Sequence, residues 1–307
     1  HVSMGGTCIC PSKAEAKGAP RSWVVLNGVK LRYCLTTPKK RAFVGDPPLV
    51  VMTPGGRGGG VGNPTFQSFA DALLQEGFQV LTWDRRNSGQ SEVSYDFKGK
   101  SRAAQDAADL YSLLGKLGVE KAILAGQSAG GRMTLEFARQ YPKMVCGMVL
   151  KDLTGGRKAL KHLRKKYFTS HRNAAKRGGM AEVGGQAFFR NMLSSGFKEL
   201  QETRAKQLLA TDVCTFVESM DASAEFLERA IDPVLGFNDE MLEALDGSIP
   251  SFLVHDSRRN DAMHTREAME GLYEGLKKSG AEVALSAGVG DFWVSKCIAF
   301  CWKAVSV

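Results

Sequence analysis

The sequence has little of several features that would define its class at once. No run of about 18 consecutive uncharged apolar residues occurs, so no transmembrane helix is predicted. The 10 prolines and 34 glycines follow no fixed period, which excludes collagen-like and low-complexity chains. What remains is a chain of 307 residues, 43% hydrophobic and 24% charged, with enough apolar side chains to bury a sizeable core.

Cysteine is also sparse, with seven residues widely scattered along the chain. An odd, scattered set does not predict a disulfide framework and favours reduced thiols in a cytoplasmic protein. Two close pairs occur, Cys8 with Cys10 and Cys297 with Cys301, but no histidine lies near either pair, so no metal site is expected. Residues 1–20 lack an apolar segment and are predicted to form a flexible tail rather than a signal peptide.

The charge is unbalanced, with 41 Lys and Arg against 32 Asp and Glu and a formal net charge of +9. Such an excess suits nucleic acid, an anionic surface or an acidic substrate. No zinc-finger, RRM or KH signature accompanies it, which favours a solvated basic surface without a nucleic-acid partner. No nucleotide-binding G-x-G-x-x-G or G-x-x-x-x-G-K-[ST] motif fits the main glycine cluster, so no cofactor is predicted.

Short apolar segments alternate with helical patterns over much of the chain. Asn27-Gly28 separates Ser22–Leu26 from Lys30–Leu35 and predicts a β-hairpin. The further predicted strands are Pro48–Thr53, Phe78–Trp83, Lys121–Ala125, Met144–Leu150, Pro250–His255 and Ala281–Leu285. The helices predicted with them are Phe66–Gln75, Ala103–Leu117, Ala129–Tyr141, Thr265–Lys278 and Phe292–Ala304. This alternation predicts an α/β fold with a mostly parallel sheet covered by helices on both faces.

The alternation breaks in the middle of the chain, where no comparable strand occurs. Helical patterns are found instead over Lys158–Lys176, Glu182–Leu193, Lys198–Leu209 and Ala222–Ala230. We therefore expect an α/β core of residues 21–154 and 248–307, with an inserted helical lid of residues 155–247.

Gly126-Gln127-Ser128-Ala129-Gly130 matches G-x-S-x-G, after a predicted strand and at the start of a predicted helix. A serine on such a tight turn has strained backbone angles, exposes its Oγ, and is followed by an amide that points at developing negative charge. Ser128 is the predicted nucleophile, with Gln127 and Ala129 beside it in the site. A serine that only caps the helix is the alternative.

Two further loops follow predicted strands. In the glycine-rich loop Thr53–Gly60, Gly55 and Gly56 are predicted to give a second oxyanion amide, and Arg57 is predicted to attract a carboxylate. A phosphate cradle is the alternative for this loop. The polar loop Trp83–Ser91 is predicted to tie loops together near the site.

These loops, the G-x-S-x-G turn and the insertion together resemble the α/β-hydrolase superfamily, and within it the lid-bearing proline iminopeptidases and epoxide hydrolases. The resemblance implies the α/β-hydrolase fold, with Ser128 at the nucleophile position. It says less about the reaction, since this fold hosts esterases, lactonases, peptidases, lyases, dehalogenases and non-catalytic receptors.

The family pattern implies an acid and then a histidine after the nucleophile. Asp261, in the loop after Pro250–His255, is the first candidate for the acid. Asp256, nearer the end of that strand, and Asp152, after the preceding strand, are the alternatives.

The base is harder to place, because the loop of residues 286–293 contains no histidine and none of the five histidines follows His264. Asp291 occupies the implied position, but a carboxylate is a poor base at its ordinary pKa. His264, three residues after Asp261, is either a replacement base or a structural residue beside the acid. His255 is expected to be structural, whereas His162 and His171 belong to the lid.

Three functions fit these residues. The first is a serine hydrolase with an atypical base that acts on an ester, lactone or amide of a small to medium apolar substrate. The second is a lyase, cyclase or decarboxylase of the same fold, and the third is a ligand-binding protein that has lost turnover. Each implies a small-molecule partner, while the substrate and the oligomeric state are left open.

Overall fold

Among the residues that the computed structural model describes, eight strands form one sheet in the order β1-β2-β4-β3-β5-β6-β7-β8. The described residues are 22–39, 42–56, 58–256, 261–288 and 292–306. The strands are β1 (Ser22–Leu26), β2 (Val29–Thr36), β3 (Leu49–Thr53), β4 (Gln79–Trp83), β5 (Ala122–Gln127), β6 (Val145–Lys151), β7 (Ser251–Asp256) and β8 (Val283–Gly288). Strand β2 runs antiparallel to β1 and β4, and the remaining neighbours are parallel, as predicted. The predicted tail of residues 1–20 lies outside the described part.

Helices cover both faces of the sheet. Their bounds are α1 (Gln67–Gln75), α2 (Arg102–Lys116), α3 (Ala129–Gln140), α4 (Gly156–Arg164), α5 (Ser170–Gly185), α6 (Ala187–Leu193), α7 (Lys198–Leu209), α8 (Val213–Glu228), α9 (Asp239–Glu243), α10 (Arg266–Lys278) and α11 (Phe292–Val305). Helices α1 and α11 contribute to one apolar core, while α2, α3 and α10 contribute to the other. Val50 and Val51 on β3 belong to different cores, because side chains alternate between the faces of a strand.

The central strands bring the site loops together. Every residue of β3 is buried, as expected for an apolar strand covered on both faces. In the parallel register, Met52 pairs with Ala125 and Thr53 with Gly126, so β3 and β5 end side by side. The loops that follow them, which contain the glycine cluster and Ser128, therefore start next to each other at the carboxyl edge of the sheet.

The segment between β6 and β7 consists of helices α4 to α9. The predicted helix Lys158–Lys176 is divided, since a π-helical turn at Lys165–Thr169 joins α4 to α5. Helix α8 begins at Val213, well before the predicted start at Ala222, because Asp212 caps it by accepting a hydrogen bond of 2.8 Å from the amide of Thr215. The sequence carries this capping signal, since Asp212 directly precedes the helix.

The cysteines differ from the expectation at one position. Cys146, Cys214, Cys297 and Cys301 have free thiols, but Cys34 is disulfide-bonded, so the prediction of reduced thiols is wrong there. An odd count of cysteines leaves room for a single disulfide, which the sequence pattern does not reveal. Within the described residues, no helix has the length and apolar character needed to cross a membrane.

Candidate active site

Ser128 lies on the turn between β5 and α3, with φ of 50° and ψ of −112°. A positive φ is strained for a residue with a side chain, and such strain is typical of functional turns. The turn is fixed on both sides: the amide of Ser128 donates to the carbonyl of Lys151 at 3.0 Å, and the carbonyl of Ser128 accepts from the amide of Arg132 at 3.1 Å. The predicted strained turn is confirmed.

Two glycines allow the backbone to pack closely around the serine. A Cβ at Gly130 would lie 2.0 Å from the carbonyl oxygen of Thr53, so α3 can meet the end of β3 only without a side chain there. A Cβ at Gly55 would lie 3.1 Å from the Cβ of Ser128. The glycine-rich loop therefore lies directly beside the serine.

A histidine and a carboxylate continue from the serine in one hydrogen-bonded chain. His264 Nε2 lies 3.0 Å from Ser128 Oγ, and His264 Nδ1 lies 2.9 Å from both carboxylate oxygens of Asp261. With the proton on Nδ1 donated to the carboxylate, Nε2 is the acceptor for the serine hydroxyl. This is the hydrogen-bonding order of a serine nucleophile, its base and an orienting acid.

The short loop after β7 makes this arrangement from local interactions. Asp261 Oδ1 accepts hydrogen bonds from the amides of Met263 at 3.0 Å and His264 at 2.8 Å, so the carboxylate folds back over its own loop. Thr265 then caps α10 through the amide of Ala268 at 3.2 Å. The spacing of three residues thus brings the imidazole and the carboxylate onto each other.

The same hydrogen bonds lower the pKa of Asp261. Partial burial alone would raise the pKa of Asp261, but hydrogen bonds from the amide and imidazole of His264 and the amide of Met263 outweigh it and hold the pKa below its ordinary value. Asp261 is therefore an ionised acceptor at neutral pH. His264 itself is 7% exposed, so its ring is shielded from bulk water.

Arg85 holds the glycine-rich loop in place. Its Nη2 donates to the carbonyls of Pro54 at 3.1 Å and Gly56 at 2.8 Å. The guanidinium is buried, and burial, partly offset by Asp106, lowers the pKa of Arg85 to about 10, so it stays charged at neutral pH. The loop beside Ser128 is therefore fixed by a charged donor on its carbonyl side.

Asp84 joins the two loops that follow β3 and β4. Its carboxylate accepts hydrogen bonds from the amides of Gly60 at 2.7 Å, Val61 at 3.0 Å and Gln90 at 2.8 Å. Burial raises the pKa of Asp84, against the lowering effect of these amides. The predicted structural role of Trp83–Ser91, which includes Asp84 and Arg85, is confirmed.

Ser128 and His264 line a cavity of about 270 Å³. Gly55 and Gly56 line it from the loop after β3, and Gln127 and Ala129 line it from the end of β5 and the start of α3. The segment between β6 and β7 adds apolar side chains, which are Leu163, Tyr167, Phe168, Phe226 and Leu227. The cavity also receives the charged residues Arg85, Arg102, Asp106 and Arg132.

Other predicted candidates lie elsewhere. The described lining of the cavity includes neither Asp152 nor His255, whose Nδ1 lies 3.5 Å from an Asp152 oxygen in a separate buried cluster with Lys151. Asp256 ends β7 and donates its amide to Asp152 at 2.9 Å. The described side chains hold no group of three or more His, Cys, Asp or Glu that could bind a metal.

The described lining of the cavity also lacks the two histidines of the segment between β6 and β7. His171 is buried against Phe188 and Phe189 and is hydrogen-bonded to Gln186, while His162 is exposed on α4. Two candidates, Arg57 and Asp291, lie outside the described residues.

Arg132 was missed by the sequence reasoning. A signal existed, since Arg132 follows Ser128 by four residues and a helix brings such positions to one side. That spacing is common among surface arginines, so only its burial in the cavity distinguishes it.

Residues 48–182 match the family model of the alpha/beta hydrolase fold. A thermophilic esterase from Thermogutta terrifontis is similar in structure, with a TM-score of 0.59, 19% identity and coverage of 93% of this chain and 99% of that one. The enol-lactonase from Burkholderia xenovorans LB400 has a TM-score of 0.54 and 17% identity, over 93% and 98% of the two chains. The chain therefore has the α/β-hydrolase fold.

Similarity to curated proteins is confined to shorter segments. The chain is 37% identical over 90 residues to the sn-1-specific diacylglycerol lipase ABHD11 of Mus musculus, which is 29% of this chain and 28% of that protein. It is 33% identical over 102 residues to a 2-hydroxy-6-oxononadienedioate/2-hydroxy-6-oxononatrienedioate hydrolase of Pseudomonas sp, which is 33% and 35% of the two chains. The matched segments thus span about a third of these relatives.

Proposed function

We propose that this protein is a serine hydrolase that cleaves an ester, lactone or amide, with Ser128 as nucleophile, His264 as base and Asp261 as orienting acid. The observation that carries the proposal is the chain of distances from Ser128 Oγ to His264 Nε2, 3.0 Å, and from His264 Nδ1 to Asp261, 2.9 Å. The relatives support the same class, since they include a lipase, a further hydrolase, an esterase and a lactonase by name.

The reaction divides into acylation and deacylation of Ser128, and one imidazole transfers the protons in both steps. As Ser128 Oγ attacks the carbonyl carbon, His264 Nε2 takes its proton, and Asp261 stabilises the imidazolium that forms. The amide of Ala129, with that of Gly55 or Gly56, stabilises the negative oxygen. His264 then gives its proton to the leaving group. In deacylation a water molecule attacks the acyl carbon while His264 Nε2 takes its proton, and His264 returns that proton to Ser128 Oγ as the acyl group leaves.

The proposal places the base on the loop after β7, although the family pattern implies the loop after β8. Acid and base then share the short segment Asp261–His264 and are oriented by the same hydrogen bonds. Asp291, in the implied position, is the competing base. A carboxylate there needs a raised pKa to accept the serine proton, whereas an imidazole accepts it near neutral pH.

The size and lining of the cavity limit the substrate. A volume of about 270 Å³ is at the small end of ligand sites, which suits a small to medium molecule. In our proposal residues 155–247 act as a lid, whose Leu163, Phe168 and Phe226 pack on the apolar part of the substrate. The likeness to proline iminopeptidases and epoxide hydrolases then concerns this lid-bearing architecture rather than their substrates.

Hydrolysis of p-nitrophenyl butyrate and labelling by a fluorophosphonate probe test the proposal together. The wild type should turn over and be labelled, and Ser128→Ala should abolish both. His264→Ala should lower kcat by about 10² to 10⁴, the usual contribution of a general base, whereas Asp291→Asn should leave it within about threefold. His162→Ala, at an exposed histidine of α4, is the matched control.

Two results would contradict this assignment. A wild-type rate in His264→Ala, with a loss in Asp291→Asn, would move the base to Asp291. A protein that binds small molecules but is neither labelled nor active would favour the lyase, cyclase, decarboxylase or ligand-binding functions that the sequence left open.

A further inference from the structure

Arg132 is a cation built into the cavity beside the nucleophile. It lies on α3 one turn after Ser128, to which its amide is bonded, and it is 7% exposed. Both residues line the same cavity. Its position is therefore fixed relative to Ser128 by the first turn of the helix.

Among the described residues, no acidic side chain forms an ion pair with this arginine. Among the described residues its side-chain hydrogen bond goes to Thr154 Oγ1, a neutral acceptor, and no carboxylate lies within ion-pair distance. Arg86, equally buried, binds both oxygens of Asp109 at 2.6 and 2.7 Å. A buried cation without a counterion is unfavourable. Because Arg86 has a carboxylate partner and Arg132 has none among the described residues, an anionic ligand is the expected partner of Arg132.

The arginine keeps its charge at neutral pH. Burial and, to a smaller extent, repulsion by Arg85 lower the pKa of Arg132 to about 10. This value is still far enough above 7 for the guanidinium to be protonated in nearly every molecule. The site therefore offers a permanent positive charge and N–H donors beyond the one that Thr154 uses.

The other charged groups of the lining do not cancel it. Asp106 accepts from Arg85 at 3.3 Å and from Arg102 at 3.5 Å, so one carboxylate already serves two cations. The charged residues of the described lining are thus three arginines, with Arg132, against one aspartate. The cavity has an excess of positive charge where a substrate would bind.

The outer surface of the lid is also positively charged. The segment of residues 157–166 presents six exposed cations, which are Arg157, Lys158, Lys161, Arg164, Lys165 and Lys166. Within the described part of the chain only Arg164 of these has an acidic partner, Glu228 at 2.5 Å. The same segment sends Leu163 into the cavity. A positive surface around a positive cavity raises the local concentration of anions.

We propose that Arg132 binds a carboxylate of the substrate, so that the protein acts on anionic esters, lactones or amides. This inference rests on the proposed hydrolase function and names its substrate class. A carboxylate fits because its single charge and two coplanar oxygens match the guanidinium fork. The carboxylate lies a few bonds from the scissile carbonyl, since Arg132 and Ser128 are one helical turn apart, and the apolar remainder lies under the lid.

Two esters that differ in one charge test the proposal. Mono-p-nitrophenyl glutarate and its methyl ester have the same chain and leaving group, but only the first has a free carboxylate. The wild type should have the higher kcat/KM on the glutarate. Arg132→Gln should lower that kcat/KM about 10- to 100-fold, mainly through KM, and change the methyl ester less than about threefold.

Two variants serve as controls. Arg132→Lys keeps the charge without the fork and should retain part of the preference, and it replaces the Gln variant if that one does not fold. Arg139→Gln makes the same change on the same helix at a half-exposed arginine that pairs with Glu136, outside the described lining, and should leave the preference unchanged.

Equal losses on both esters in Arg132→Gln, or a wild type that prefers the methyl ester, would overturn the proposal. A binding measurement distinguishes failure of the proposed hydrolase function from failure of the carboxylate site. If the wild type cleaves neither ester, glutarate should still raise the Tm of Ser128→Ala, and should not raise that of Ser128→Ala with Arg132→Gln. Equal shifts in these two proteins, or none in either, would overturn the carboxylate site.

Discussion

Two histidine–aspartate pairs lie near the carboxyl edge of the sheet in the described part of the chain, and they differ in the other bonds that each aspartate makes. In the first, His264 Nδ1 lies 2.9 Å from both oxygens of Asp261, and Nε2 reaches Ser128. In the second, His255 Nδ1 lies 3.5 Å from Asp152. Both pairs consist of a histidine and an aspartate. Any difference in their roles must therefore come from the other groups to which these residues are bonded.

The carboxylate of the second pair, Asp152, is already bonded to other groups. Asp152 accepts the amide of Asp256 at 2.9 Å on one oxygen and lies 3.1 Å from Lys151 Nζ on the other. Among the described residues, the buried His255 Nδ1 has no hydrogen-bond partner. In the first pair, by contrast, the amides that Asp261 accepts come from its own loop and turn the carboxylate toward His264. Asp261 can orient His264 because its other hydrogen bonds turn the carboxylate toward the imidazole, whereas those of Asp152 do not.

The largest expected effect is the difference in activity between variants of Asp261 and Asp152. Asp261→Asn should lower kcat on p-nitrophenyl butyrate by about 10² to 10⁴, because an amide favours the wrong tautomer of His264. Asp152→Asn should leave kcat within about threefold and lower the free energy of unfolding by about 1–3 kcal/mol, through the lost charge beside Lys151. Esterase rates and urea unfolding of both variants give the comparison. A larger rate loss in Asp152→Asn would reverse the assignment of the acid.

A smaller effect is expected in the pH dependence of stability. The pKa of Asp261 is held below its ordinary value of 3.8, so its bonds stabilise the folded protein above about pH 4, and this contribution is lost as pH falls through the lower folded pKa. The difference in free energy of unfolding between wild type and Asp261→Asn should therefore shrink as pH falls below about 4. Urea unfolding at several pH values below about 5 measures it, and a difference that grows as pH falls below about 4 would contradict the geometry.

The positions of the strands along the chain and of Ser128 were predictable because both depend on local patterns. Apolar segments, the Asn27-Gly28 turn and the G-x-S-x-G motif each specify structure within a few residues. Helix boundaries in the inserted segment were less accurate, as at Val213, because the Asp212 cap was not considered.

The site was predictable only in part, because its contacts join distant positions. The sequence placed Asp261 and His264 beside each other, but not toward Ser128, which lies 136 positions away in the chain and is reached only when β5 and β7 share one sheet. Arg132 was missed for a similar reason. That a cation lacks a carboxylate partner is a property of everything packed around it, and no sequence pattern records it.

The smallest expected effect is at the histidine of the second pair. Since the buried His255 Nδ1 accepts or donates no hydrogen bond among the described residues, His255→Leu should change the free energy of unfolding by less than about 1 kcal/mol. Its kcat should stay within about threefold of wild type, because Ser128 has His264 as its partner. The same substitution at His264 should abolish most of the activity, which makes the two leucine variants a matched pair. Comparable activity losses in both would mean that His255 and Asp152 take part in the reaction, and the separation of the two pairs would then be wrong.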